Sequence, residues 1–181
     1  MTSLAAVTGR FQPFHVEHLE LVQRALGEFD RVVIGVTNPD SRSLQAHPNS
    51  AHRHKPEANP YTYWQRYRMI TAALGECGLV DRVEVVPFPL DEPSVWAQYI
   101  PLHAIQFVRV YTPWERSKVE RLRDGGYEVR DVQPGSSKPL RASDIRASLA
   151  GDNDAAWQML VPGSIVGMLE PVLPDSGRSA G

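Results

Sequence analysis

Two histidines three residues apart, His15 and His18, close the run Gly9-Arg10-Phe11-Gln12-Pro13-Phe14-His15-Val16-Glu17-His18. At that spacing near a helix start both imidazoles lie on one face. Neutral or protonated, each offers an N–H to a phosphate oxygen. Arg10 adds a planar fork suited to phosphate. A second cluster, Ser143-Asp144-Ile145-Arg146, lies far along the chain. There Ser143 stands at the predicted helix N-cap, and the free N–H groups behind it, with Arg146 one turn on, form another anion cradle. Plainer readings exist for each part. His-x-x-His is half of a metal site, but no third ligand follows at a recognisable spacing. Two surface histidines without a role, and Ser143 as a simple cap, are the others. The order glycine, arginine, proline, histidine, histidine, paired with the second cluster, favours polyphosphate binding.

The elements that must carry these groups alternate. Leu4–Thr8 is a short apolar run closed by Gly9 and predicts a buried strand. Leu19, Val22, Leu26 and Phe29 recur at helical spacing. Arg31–Thr37 is a second β-branched strand, so the first 37 residues form a βαβ unit. Thr62 and Gln65 fit a capping box opening a helix to about Gly75. Val83–Pro87, Phe107–Tyr111 and Tyr127–Val132 predict three more strands, Val95–Ile100 a short helix and Pro113–Asp124 a long one. From Ser143 the chain reads helical. The pattern predicts an α/β fold, a Rossmann-like, doubly wound five-stranded parallel sheet with C-terminal helices. It predicts one domain over residues 1–173, with 38–60 as a loop at the site and 174–181 as a frayed tail.

The chain has 181 residues, 42% of them apolar and 22% charged, with a net charge of −2, which excludes a disordered chain and a general polyanion coat. One cysteine, Cys77, forms no internal disulfide and suits a cytoplasmic setting. No apolar run approaches the ~18 residues of a membrane span. The start of the chain has no basic region ahead of its apolar stretch and so does not read as a signal peptide. The charge is unevenly placed. Residues 41–68 carry five Lys and Arg against one acidic residue, leaving the remainder acidic.

The first motif resembles the signature of the nucleotidylyltransferase superfamily with a His-x-Gly-His motif, in its archaeal nicotinamide mononucleotide (NMN) adenylyltransferase variant. Asn59-Pro60-Tyr61-Thr62 with Gln65-Arg66, the strand at Gly126-Tyr127-Glu128-Val129, and Ser143-Asp144-Ile145-Arg146 are similar to that family's later motifs. The resemblance implies attack of an acceptor oxygen on the α-phosphorus of a nucleoside triphosphate, either CTP or ATP, with loss of pyrophosphate. It implies catalytic roles for Arg10, His15 and His18. It implies nucleotide contacts from Gly9, Arg10, Phe11, His15, His18, Ser143, Ile145 and Arg146, and Mg²⁺ held through the triphosphate rather than by a protein metal site.

Three features depart from that pattern. Glu17 stands where the signature has glycine, Pro93 where those enzymes carry an asparagine, and Tyr111-Thr112-Pro113-Trp114 replaces a Ser-Gly-Asn loop. Residues 41–58, with His47, His52, Arg53, His54 and Lys55, are an insertion. Read as a solvated cationic loop rather than a metal site, it suits a small, highly anionic acceptor. The insertion and Asn38-Pro39-Asp40 are similar to cytidylyltransferases that act on phosphonates in antibiotic biosynthesis, of the phosphonoformate type. Acceptor contacts are then expected from Arg53, His54, Arg66 and Trp96, with Trp96 equally readable as core. A nucleotide sensor without catalysis and a nucleic-acid module are the competing classes. The histidines and Arg146 argue against the first, and the lack of interleaved aromatics in the basic stretch argues against the second. The sequence leaves the oligomeric state open, a homo-oligomer included.

Overall fold

β1 (Leu4–Gly9) runs through the centre of the sheet because its side chains, Ala5, Ala6 and Val7, are small, apolar and buried on both faces. β2 (Arg31–Val36) and β3 (Val83–Pro87) extend the sheet on one side of it, and β4 (Ile105–Arg109) and β5 (Val129–Val132) on the other. All pairings are parallel, in the order β3-β2-β1-β4-β5. The computed structural model describes residues 3–44, 46, 54–133, 139–151 and 155–169. The expected tail at 174–181, and residues 45 and 47–53 of the expected insertion, Arg53 among them, lie outside them.

Helices cover both faces. α1 (Val16–Leu26) and α2 (Tyr63–Glu76) pack Val22, Ala25, Met69, Ile70 and Leu74 against Ala5, Val7 and Ile34. α3 (Pro113–Asp124) places Val119 and Leu122 on the opposite face with Phe88, Trp96 and Tyr127. α4 (Ala142–Ala150) anchors to the first layer through Ile145. The expected doubly wound five-stranded sheet is the one observed. β4 begins and ends two residues earlier than the pattern predicts, and β5 starts two residues later. The short helix expected over Val95–Ile100 is a 3-10 segment over Pro93–Gln98. Thr62 and Gln65 make the predicted capping box, and Thr112 with Glu115 makes another behind Pro113.

The topology fixes where a ligand belongs. Strand order reverses between β1 and β4, so the chain leaves their carboxyl ends in opposite directions and opens a crevice there. Gly9 ends β1 at that crevice. A Cβ on Gly9 would meet the Phe11 ring at 2.8 Å, so the turn needs the bare backbone.

Candidate active site

A cleft of about 720 Å³ opens at the β1/β4 crevice. The turn after β1 supplies Gly9, Arg10, Phe11 and Gln12; α1 supplies His15, Glu17 and His18; the end of β4 and its loop supply Arg109, Tyr111, Thr112 and Trp114. Lys118 comes from α3, and Arg141, Ser143 and Arg146 from the start of α4. Five cationic side chains, Arg10, Arg109, Lys118, Arg141 and Arg146, thus face two carboxylates, Glu17 and Glu115. A cleft so lined focuses anions.

The turn is held in an unusual backbone. Phe11 has φ 53°, a left-handed conformation that costs a non-glycine residue roughly 1–2 kcal/mol. Its ring, 2% exposed, is fixed against Phe14 and, edge-on at 4.9 Å between centroids, against His18. The Gln12 amide stitches the turn to the start of α2: its Nε2 donates to the Tyr61 carbonyl at 2.9 Å and its Oε1 accepts the Tyr61 N–H at 3.0 Å. The Gln12–Pro13 peptide is cis.

The two imidazoles stack at 3.5 Å, at the N-terminus of α1. The His15 backbone N–H donates to His18 Nδ1 at 3.2 Å. A neutral His18 whose Nδ1 accepts must carry its proton on Nε2, which makes Nε2 a donor. Both rings are held neutral. Burial, and then Arg109, push His15 down to about 3. Burial first, then His15, Arg109 and Lys118, hold His18 well below the ordinary histidine value. His15 Nδ1 and Thr8 Oγ1 are buried without a hydrogen-bond partner.

The second cluster arrives opposite. Arg146 Nη1 donates to the Gln12 carbonyl at 2.5 Å, joining the start of α4 to the first turn. The helix begins two residues before the sequence suggests. Arg141, in extended backbone, is the N-cap, so Ser143 sits inside the first turn and lines the cleft from there rather than capping. Arg141 and Ala142 extend the cradle by one cation and one more N–H.

Four of the expected contacts lie elsewhere. Ile145 is fully buried in the core and anchors α4. Arg66 is 1% exposed and spends its guanidinium on backbone. Nη1 donates to the carbonyls of Arg10 and Thr37, each at 2.8 Å, Nη2 to Asn38 at 2.7 Å, and Nε to Thr62 at 3.2 Å. It therefore ties the ends of β1 and β2 to α2 and is not among the cleft's lining residues. Burial lowers it to about 10, still charged at neutral pH. Trp96 is core: 1% exposed, stacked on Phe88, with Nε1 donating to the Pro89 carbonyl at 2.9 Å. A Cβ on Gly125 would fall 2.3 Å from its ring. His54 is half-buried outside the cleft.

Sequence reasoning passed over Arg109, Lys118 and Tyr111 as contributors. Lys118 is buried, and its Nζ donates to the Thr8 carbonyl at 2.5 Å, beneath the histidines. A lysine at the first buried position of α3 was the available signal; its 110-residue separation from Thr8 hid the contact. Among the described residues no group of three or more His, Cys, Asp and Glu could hold a metal ion. Nor is any helix among them long and apolar enough to cross a membrane.

A family model described as cytidylyltransferase-like matches residues 6–146. The chain is 34% identical over 160 residues to a phosphonoformate cytidylyltransferase of Streptomyces viridochromogenes, covering 88% of this chain and 86% of that one. It is 33% identical over 167 residues to a nicotinamide-nucleotide adenylyltransferase of Thermococcus onnurineus, covering 91% and 80%. Among solved structures, a bifunctional NMN adenylyltransferase/ADP ribose pyrophosphatase from Francisella tularensis superposes with a TM-score of 0.61 at 20% identity, over 89% of this chain. The chain spans 45% of the length of that protein, and the likeness is one of fold.

Proposed function

The chain belongs to the cytidylyltransferase-like family of nucleotidyltransferases, and on that premise we propose that it transfers CMP from CTP to a small phosphonate, releasing pyrophosphate. The acceptor's anionic oxygen bonds to the α-phosphorus as the bond from that phosphorus to the β-bridging oxygen breaks. The electron pair leaves with pyrophosphate. No protein nucleophile is needed, so placement and charge stabilisation do the work.

The observation that carries this reading is the meeting of two helix starts, His15 and His18 on one and Ser143 and Arg146 on the other, across one cationic cleft. His18 Nε2–H donates to the α-phosphate as charge develops, with His15 stacked behind it. Arg10, Ser143 and Arg146 hold the β- and γ-phosphates, and Lys118 adds a buried positive charge at the floor. Mg²⁺ would come with the triphosphate and would supply neutralisation of its charge beside Arg10, Ser143 and Arg146. The two carboxylates of the cleft stand on separate helices, and each is tied to protein donors, Glu17 to Tyr111 and Leu140 and Glu115 to Thr112. Arg10 Nη1 also donates to the Ala58 carbonyl at 3.3 Å, which ties the turn after β1 to the segment before α2.

The likeness to the Streptomyces enzyme favours CTP and a phosphonate. The likeness to the archaeal adenylyltransferase supports a second reading, ATP with NMN giving NAD. Pyrophosphate release decides between them. Each of CTP and ATP is supplied with Mg²⁺ and either a panel of small phosphonates or NMN. Turnover is expected with CTP and a phosphonate; robust turnover with ATP and NMN would replace the first reading with the second.

A further inference from the structure

A carboxylate stands among the cations of the cleft. Glu17, in the first turn of α1, leaves 17% of its side chain exposed, as does Arg109 at the end of β4. Glu17 Oε1 accepts the Leu140 N–H at 3.0 Å, and Oε2 accepts the Tyr111 hydroxyl at 2.9 Å. Arg109 Nη1 lies 3.6 Å from the same Oε2. Burial and the bond to Glu17 push Tyr111 up, so its hydroxyl stays protonated and donates. Two segments, the end of β4 and the chain at Leu140, therefore fix one carboxylate in place. Of its roughly four lone-pair directions, these two hydrogen bonds use two.

A fixed negative charge opposes phosphate, so its use lies where the phosphates end. They belong between the starts of α1 and α4. A nucleoside continuing from them along the β1/β4 crevice meets Glu17, Arg109, Tyr111 and Trp114. Glu17 and Arg109 set a hydrogen-bond acceptor beside a donor. Cytosine presents the complement, an exocyclic amino donor beside a ring-nitrogen acceptor. Uracil inverts both positions, with an oxo group beside a ring N–H. Carboxylates elsewhere read cytosine by accepting from this amino group.

We propose that Glu17, seconded by Arg109, reads the amino group of the nucleobase and sets the choice of CTP over UTP. This rests on the nucleotidyltransferase reading above. The same edge separates adenine from its 6-oxo analogue hypoxanthine, so the assignment applies whichever amino-bearing base the enzyme uses.

Titration calorimetry of CTP, UTP, ATP and ITP, each with Mg²⁺, on the intact protein tests this without an acceptor. The wild type is expected to prefer the amino-bearing member of each pair by about 10²-fold or more, since a site built to pair a group rejects the analogue lacking it. Glu17→Gln keeps an acceptor for Leu140 but can turn its NH₂ toward an oxo group. It is expected to shrink the CTP/UTP ratio at least tenfold, and Glu17→Ala likewise. A ratio taken within one variant is insensitive to the fraction folded. Equal binding within both pairs by the wild type, or a wild-type ratio in Glu17→Gln, overturns the role of Glu17 and leaves the transferase reading standing. A wild type that binds none of the four overturns that reading, and this one with it.

Discussion

β1 divides the ligand edge of the sheet into two unlike halves. Toward β4 the cationic side chains Arg109, Lys118 and Arg146 line an open cleft. Toward β2 the same kind of group, Arg66, is sealed in and given wholly to backbone carbonyls. Arg66 and Arg146 each stand just inside a helix start, and burial lowers the pKa of both. The difference lies in what surrounds them. Where strands β1 and β2 end side by side, the turns leave several carbonyls that no ladder satisfies, and a buried guanidinium with five donors answers them. Where strand order reverses, the chain diverges and leaves cations facing a space. Lys118 and Arg146 also donate to backbone, to the Thr8 and Gln12 carbonyls, yet both line the cleft, whereas Arg66 does not.

Replacing Arg66 is the most damaging way to probe that division. Arg66→Ala strands the carbonyls of Arg10, Thr37 and Asn38, while Thr62 keeps the backbone N–H of residue 66; removing one side of a buried charged network costs about 3–5 kcal/mol. Chemical denaturation should show a loss of that size. A variant of wild-type stability with only a raised KM for the acceptor would return Arg66 to the ligand side of the comparison.

His18→Ala probes the open half and should do the opposite. Loss of one donor aimed at developing charge costs ~10²–10³ in kcat. The ring also packs on Phe11 and Phe14, so a modest fall in melting temperature accompanies it. Single-turnover pyrophosphate release together with circular dichroism reads both. Wild-type turnover would remove His18 from the chemistry.

How much of this contrast was legible beforehand follows from how local each signal is. The strands showed as short β-branched runs, the α2 start as Thr62 and Gln65, and both anion cradles as motifs at helix starts. Trp96 was readable either way, and Arg66, Arg109 and Lys118 were not legible, because most of their partners lie 28 to 110 residues away and carbonyl demand has no sequence signature. Ser143 misled for a related reason. Serine favours caps, yet the extended backbone at Arg141 starts α4 two residues earlier, with the alanine between them helical.

The stacked histidines give the open half a signature in pH. His15 falls to about 3 in the fold from an unfolded value near 6.5, so between those values the unfolded chain binds the extra proton. The stability from keeping it neutral is complete above pH 6.5 and is lost as pH falls toward 3. Between pH 7.5 and 5.5 this amounts to about 1 kcal/mol. Thermal melts of His15→Gln should depend less steeply on pH over that interval than the wild type. Equal slopes would mean that the ring is protonated without penalty and that the cleft floor is wetter than its packing implies.

Trp96 offers the mildest and most discriminating test, because two readings of one aromatic predict different observables. As core, it fills the space between Phe88, Tyr127 and Gly125 and donates one hydrogen bond to Pro89. Trp96→Phe keeps an aromatic ring there and deletes the donor, leaving the Pro89 carbonyl without it. A lost hydrogen bond costs about 1 kcal/mol of stability. Because the ring lies on the far face of the sheet from α1, that loss should leave KM for both substrates unchanged. An acceptor platform would show the reverse, a raised acceptor KM with stability intact. The gap between these outcomes separates side chains that build the sheet edge from those that use it.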